Sequence, residues 1–151
     1  MAKSWVRTAW PWVLPAAALA ASGCGDGASD KPTGEDLTYC DVAPILAAKC
    51  VRCHSEPPDH GAPFPLSTYA DTQEPSPLPS DPERTRDADM LSAVESNYMP
   101  FMGIALDPPV SQLTCEERTT LLEWLRKGAF PPPEAHEDCQ GVSPTLLSCG
   151  N

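Results

Sequence analysis

Cys50-Val51-Arg52-Cys53-His54 is the stretch on which the reading of this chain turns. Two thiols three positions apart can each add across a vinyl group of a porphyrin, fixing the ring to the backbone through two thioethers. The histidine that follows is then carried over one face of the ring, where its imidazole can ligate the iron. CxxCH is thus the attachment signature of c-type haem, and it predicts one covalently bound haem c. Two other chemistries use a CxxC pair. A redox dithiol accompanies a βαβ pattern, and none is visible here. A zinc site needs a second ligand pair, which only His136 and Cys139 could supply.

The N-terminus bears on where such chemistry would take place. Lys3 and Arg7 form a short basic region, residues 8–21 are apolar apart from Thr8 at the edge, and the run ends in small residues, Ala20-Ala21-Ser22-Gly23, before Cys24. Residues 1–23 read as a secretory signal, too short and too interrupted by proline to span a bilayer as a helix. The end Leu19-Ala20-Ala21-Ser22-Gly23-Cys24 resembles a bacterial lipobox, which implies that Cys24 is lipidated and becomes the mature N-terminus. Several acyl chains anchor firmly where one would be marginal. The plainer alternative is a cleaved signal that leaves a free thiol at Cys24. Either way the chain is expected to be exported into the bacterial cell envelope, on the periplasmic or outer-surface side. Attachment of c-type haem takes place in the same location.

Cysteine usage agrees. Of seven cysteines, Cys24 is assigned to lipid, and Cys50 and Cys53 to haem. Cys40, Cys115, Cys139 and Cys149 remain, an even number that suggests two disulfides with three connectivities open. The formal charge is −11, and loss of the signal removes two basic residues. Such a chain is a poor partner for nucleic acid or an anionic membrane surface, and it can attract a basic redox partner. The same charge also serves solubility.

Composition divides the remainder. Residues 24–38 are polar and lack apolar periodicity, a flexible tether. Residues 39–130 form the folded unit, and 131–151 a Pro-rich, Cys-containing tail that should be irregular, tied down by Cys139 and Cys149. Glu74 to Pro82 holds four prolines and reads as a loop. Three helices are expected. Asp41 can cap the first, which carries Val42, Ile45 and Leu46 on one face, has Pro44 in its first turn and delivers Cys50. The second runs from about Asp81 to Ser96 with Met90, Leu91 and Val94 on one face. The third begins with Thr114 and Glu117 in a capping box and continues through Leu121, Leu122, Trp124 and Leu125 to Gly128. No segment alternates like a strand. The class is all-α.

A helix leading into CxxCH, a Met-Pro after a middle helix, and a last helix ending Trp124-Leu125-x-x-Gly128-Ala129 resembles a small class I cytochrome c domain. Gly61-Ala62-Pro63-Phe64-Pro65-Leu66-Ser67-Thr68-Tyr69 looks like the segment after CxxCH in haem modules of bacterial envelope lipoproteins. So does Leu113-Thr114-x-Glu116-Glu117-Arg118 before the last helix. The resemblance covers about residues 39–130. It implies a cytochrome c-like helical domain around haem, with His54 as one axial ligand and Met99, 45 residues further on, as the other. A thioether there stabilises reduced iron and closes the site to other ligands. Met102 is the near competitor, with His60 or an open site behind it. Met90 is expected in the core and His136 in solvent. The implied function is one-electron transfer rather than catalysis. The alternative is a haem module of an envelope redox enzyme or sensor, with an open iron site for a small ligand. The packing of first and last helices in that fold further implies a Cys40–Cys115 bridge, leaving Cys139 and Cys149 to pair locally. Cys115 as a small apolar core residue is the rival.

Overall fold

The computed structural model describes residues 37–78 and 83–149. The expected signal, the expected lipidation site at Cys24 and the expected tether up to residue 36 lie outside the described residues. Among the described residues there are four α-helices, α1 Tyr39–Lys49, α2 Tyr69–Gln73, α3 Arg86–Glu95 and α4 Cys115–Arg126, with a 3-10 turn at Glu134–His136. All regular structure among the described residues is helical, apart from one isolated bridge between Pro75 and Thr85. No helix among them is long and apolar enough to cross a membrane.

The first helix starts earlier than expected. Thr38 is its N-cap, and Asp41 is the third helical residue. The Asp41 carboxylate accepts from the Thr38 N–H at 2.8 Å and from its hydroxyl at 3.1 Å. Leu37 before the cap and Val42 after it are both buried, the arrangement of a hydrophobic staple. Leu37 and Thr38 therefore belong to the folded unit, not to the tether. Pro44 falls in the second turn, where its missing N–H removes an intrahelical bond from the Cys40 carbonyl.

The second expected helix is shorter than its sequence suggests. Ser76 N–H donates to the Arg84 carbonyl at 2.8 Å, and Arg86 N–H to the Glu74 carbonyl at 3.0 Å. Residues 84–86 are engaged in closing the Pro-rich loop, so α3 cannot begin before Arg86, with Thr85 as its cap. The short α2 was not anticipated; Thr68 and Asp71 form its capping box. The last helix starts as expected, with Glu117 N–H on the Thr114 hydroxyl and Thr114 N–H on the Glu117 carboxylate. Gly128, at φ 103°, ends it. There Gly128 and Ala129 N–H groups return to the Leu125 and Trp124 carbonyls, a Schellman motif.

α1 packs on α4 around Val42, Leu46, Leu121 and Trp124, all at most 1 % exposed. Each such side chain contributes on the order of 2 kcal/mol by leaving water. The two helices run in opposite directions. Lys49 at the end of α1 lies 3.4 Å from Glu117 at the start of α4. At the other end, Tyr39 N–H donates to the carbonyl of Phe130 at 3.0 Å.

That direction overturns the Cys40–Cys115 bridge, because the two cysteines sit at opposite ends of the helix pair. Cys40 pairs instead with Cys139 and Cys115 with Cys149, at Cα separations of 5.1 and 5.9 Å. The tail is irregular, as expected, but it is bound to the helices and not closed on itself. Thr145 N–H donates to Asp41 and Leu147 N–H to the buried Thr120 hydroxyl, both at 2.8 Å. Residues 139–149 thus lie as a strap across α1 and along α4 toward its start.

Candidate functional site

The CxxCH residues form one tight turn that extends α1. Cys50 N–H bonds the Leu46 carbonyl, and the N–H groups of Cys53 and His54 both return to the Cys50 carbonyl, at 3.1 and 2.9 Å. Two thiols and an imidazole therefore leave the backbone from a single turn. Cys50 and Cys53 are free cysteines. Burial, with the neighbouring Cys53, pushes the Cys50 thiol up to about 12.

His54 is buried and fixed by the segment that follows it. Its Nδ1 lies 2.7 Å from the Phe64 carbonyl, and the Leu66 N–H donates to the His54 carbonyl at 2.8 Å. A carbonyl can only accept, so Nδ1 carries the proton and Nε2 the lone pair of the neutral ring. Burial lowers the imidazole below its ordinary value, against the opposing effect of that hydrogen bond. The Phe64 ring stands 5.3 Å from the His54 ring, with the Arg86 guanidinium 5.5 Å over it. The Phe64 carbonyl was not singled out from sequence, and a backbone acceptor leaves no side-chain signal. Only the resemblance of residues 61–69 pointed to this segment.

Met99 is delivered by the end of α3. Asn97 takes the left-handed conformation at φ 55°. Asn97 N–H bonds the Val94 carbonyl at 3.2 Å, while those of Tyr98 and Met99 bond Ala93 at 2.9 and 3.1 Å. This is a Schellman stop with an extra bond from Met99.

Cys50, Cys53, His54 and Met99 all line one largely apolar cavity of about 770 Å³. That volume lies within the range of roughly 300–1,000 Å³ found for cofactor and ligand sites. Phe64, Leu66, Val94, Pro100, Ile104 and Leu106 are among its walls, and Met90 reaches it from the core. His60 also borders it, as an exposed loop residue 3.6 Å from Asp59. Met102 is outside the lining and about half exposed. His136 is exposed, and its partner in the zinc reading, Cys139, is consumed by a disulfide.

The donor set fits haem c: two thiols for thioethers, an imidazole nitrogen and a thioether for iron, and apolar walls for a porphyrin. Compared with protein-family models, curated proteins and solved structures, the chain matches none.

Proposed function

We propose that the protein is a c-type cytochrome, a one-electron carrier whose haem c is held by Cys50 and Cys53 and ligated by His54 and Met99. The observation that carries this reading is the convergence of those four side chains on one largely apolar cavity. The haem, when bound, supplies reversible one-electron chemistry at its iron. The chain's own part is to hold and shield. The Phe64 carbonyl keeps the proton on Nδ1, so His54 offers Nε2 as ligand. Met99 offers a soft sulfur that favours reduced iron. The apolar walls keep water from the ring and raise the cost of net charge there. Two disulfides fit an oxidising compartment, and together with the signal-like N-terminus they support a carrier in the bacterial cell envelope, lipid-anchored at Cys24. Its acidic surface suits a redox partner with a basic docking face.

Acid-acetone extraction of the denatured protein tests the reading directly. The haem should stay with the polypeptide, and Cys53→Ser should leave one thioether at most. Haem that partitions wholly into the organic phase would refute the assignment. Carbon monoxide resistance of the reduced protein is expected of a closed carrier, whereas rapid uptake would indicate an open site that binds small ligands.

A further inference from the structure

The geometry points to Arg118 as the residue that positions Met99 over the cavity, an inference that rests on the haem reading above for its functional meaning. Arg118 stands on the first turns of α4 and reaches across to the end of α3. Its Nε donates to the Asn97 side-chain oxygen at 3.1 Å. Its Nη2 donates to the Val94 carbonyl at 2.9 Å and the Glu95 carbonyl at 3.1 Å. One guanidinium thus grips residues 94, 95 and 97, the turn that aims the chain at Met99. The fork geometry matters, because the rigid guanidinium presents two separate nitrogens to these acceptors, whereas a lysine has a single nitrogen on a flexible stem. The positive group also sits at the negative end of the α3 dipole.

Beyond Met99 the chain has less to hold it. Pro100 is buried, but Phe101, Met102 and Gly103 are exposed. The placement of the Met99 sulfur therefore depends on the turn before it. The Asn97 side chain ties that turn to α4, while its left-handed backbone lets the N–H groups of Tyr98 and Met99 converge on Ala93. Arg126 offers an internal comparison. It also links α4 to α3, but its Nε and Nη2 donate to the Glu95 carboxylate, at 3.1 and 2.8 Å, and not to the turn that follows the helix.

The test compares Arg118→Gln with Arg126→Gln in the full, haem-loaded chain. Both should retain covalent haem and lose some stability to denaturant. Only Arg118→Gln should raise carbon monoxide affinity of the reduced protein, by about tenfold, the equivalent of ~1.4 kcal/mol in Met99 ligation. It should also weaken the near-infrared sulfur-to-iron band of the oxidised protein. Amide exchange at Tyr98 and Met99, read by mass spectrometry, should rise by a similar factor in that variant alone. Unchanged affinity and exchange in Arg118→Gln, or an equal rise in Arg126→Gln, would overturn the proposal. If wild type lacks covalent haem or the sulfur band, the functional reading fails instead, and the exchange rates still decide whether Arg118 holds the turn. Should Arg118→Gln not accumulate, Asn97→Gly takes its place, since glycine keeps the left-handed backbone and removes the amide oxygen. A rise in Tyr98 and Met99 exchange of about threefold is expected there, from the loss of one hydrogen bond. No rise would count against the clamp.

Discussion

Met99 and Met102 are three residues apart, and their surroundings separate them. Met99 is partly buried and lines the same cavity as His54, whereas Met102 stands about half exposed beyond Pro100. Methionine is more often a gap-filler than a ligand, so the cavity wall matters more than the residue type. Met99→Ala is expected to abolish the sulfur-to-iron band and to admit carbon monoxide. Met102→Ala should leave both properties nearly unchanged. An optical and carbon monoxide titration of the two variants checks this, and the reverse pattern would transfer the ligand to Met102. The clustering of Cys50, Cys53 and His54 was legible as sequence, because CxxCH places three side chains at fixed spacing and they leave the backbone from one turn. The partner that orients His54 was not, since the acceptor is the backbone carbonyl of Phe64, and any residue could supply one.

Helix ends show the same division between local and distant causes. The start of α4 was readable because Thr114 and Glu117 satisfy each other within four residues. Thr38 and Asp41 carry the same signature, as do Thr68 and Asp71, but aspartate at the third position resembles a cap itself. Asp41 was accordingly read as the cap, and α2, at five residues, had no periodicity to announce it. The start of α3 was set by pairing between residues 74–76 and 84–86, which no local pattern reveals. Asp41 has a second role that sequence could not show, accepting from Thr145 across a separation of 104 residues. Asp41→Ala should therefore cost more than an ordinary cap. Losing the capping-box bonds from Thr38 and orphaning the Thr145 N–H together should cost about 3 kcal/mol. Asp41→Asn keeps one of the two acceptor oxygens that Thr38 and Thr145 use separately, so it should cost roughly half of that. Urea unfolding of the two variants measures the difference, and equal losses would show that the remaining amide oxygen preserves neither bond.

At the scale of the whole molecule, the tail completes a fold that the helices alone leave open along α1 and α4. The antiparallel run of those helices separates Cys40 from Cys115, and only a returning chain can bridge both. The tail does so in order, meeting Cys40 through Cys139, Asp41 through Thr145, Thr120 through Leu147 and Cys115 through Cys149. The number of bridges could be inferred from the even cysteine count. The connectivity could not, because it depends on helix direction and on a tail without periodicity. Non-reducing peptide mapping should recover Cys40–Cys139 and Cys115–Cys149 linked peptides and no Cys139–Cys149 peptide. The bridges span sequence separations of 99 and 34 residues. Considered singly, chain entropy assigns ~4.7 and ~3.8 kcal/mol to loops of those lengths. Because the two loops overlap between residues 115 and 139, the second bridge to close constrains a chain already shortened by the first, and their combined effect should fall below the sum of the separate values. Replacing both cysteines of one pair by serine should thus destabilise the protein more for Cys40–Cys139 than for Cys115–Cys149, by about 1 kcal/mol. Denaturant midpoints of the two double variants decide it. A larger loss from removing Cys115–Cys149 would mean that the strap draws its hold mainly from the α4 side, through Thr120 and Leu147, and not from closure of the long loop.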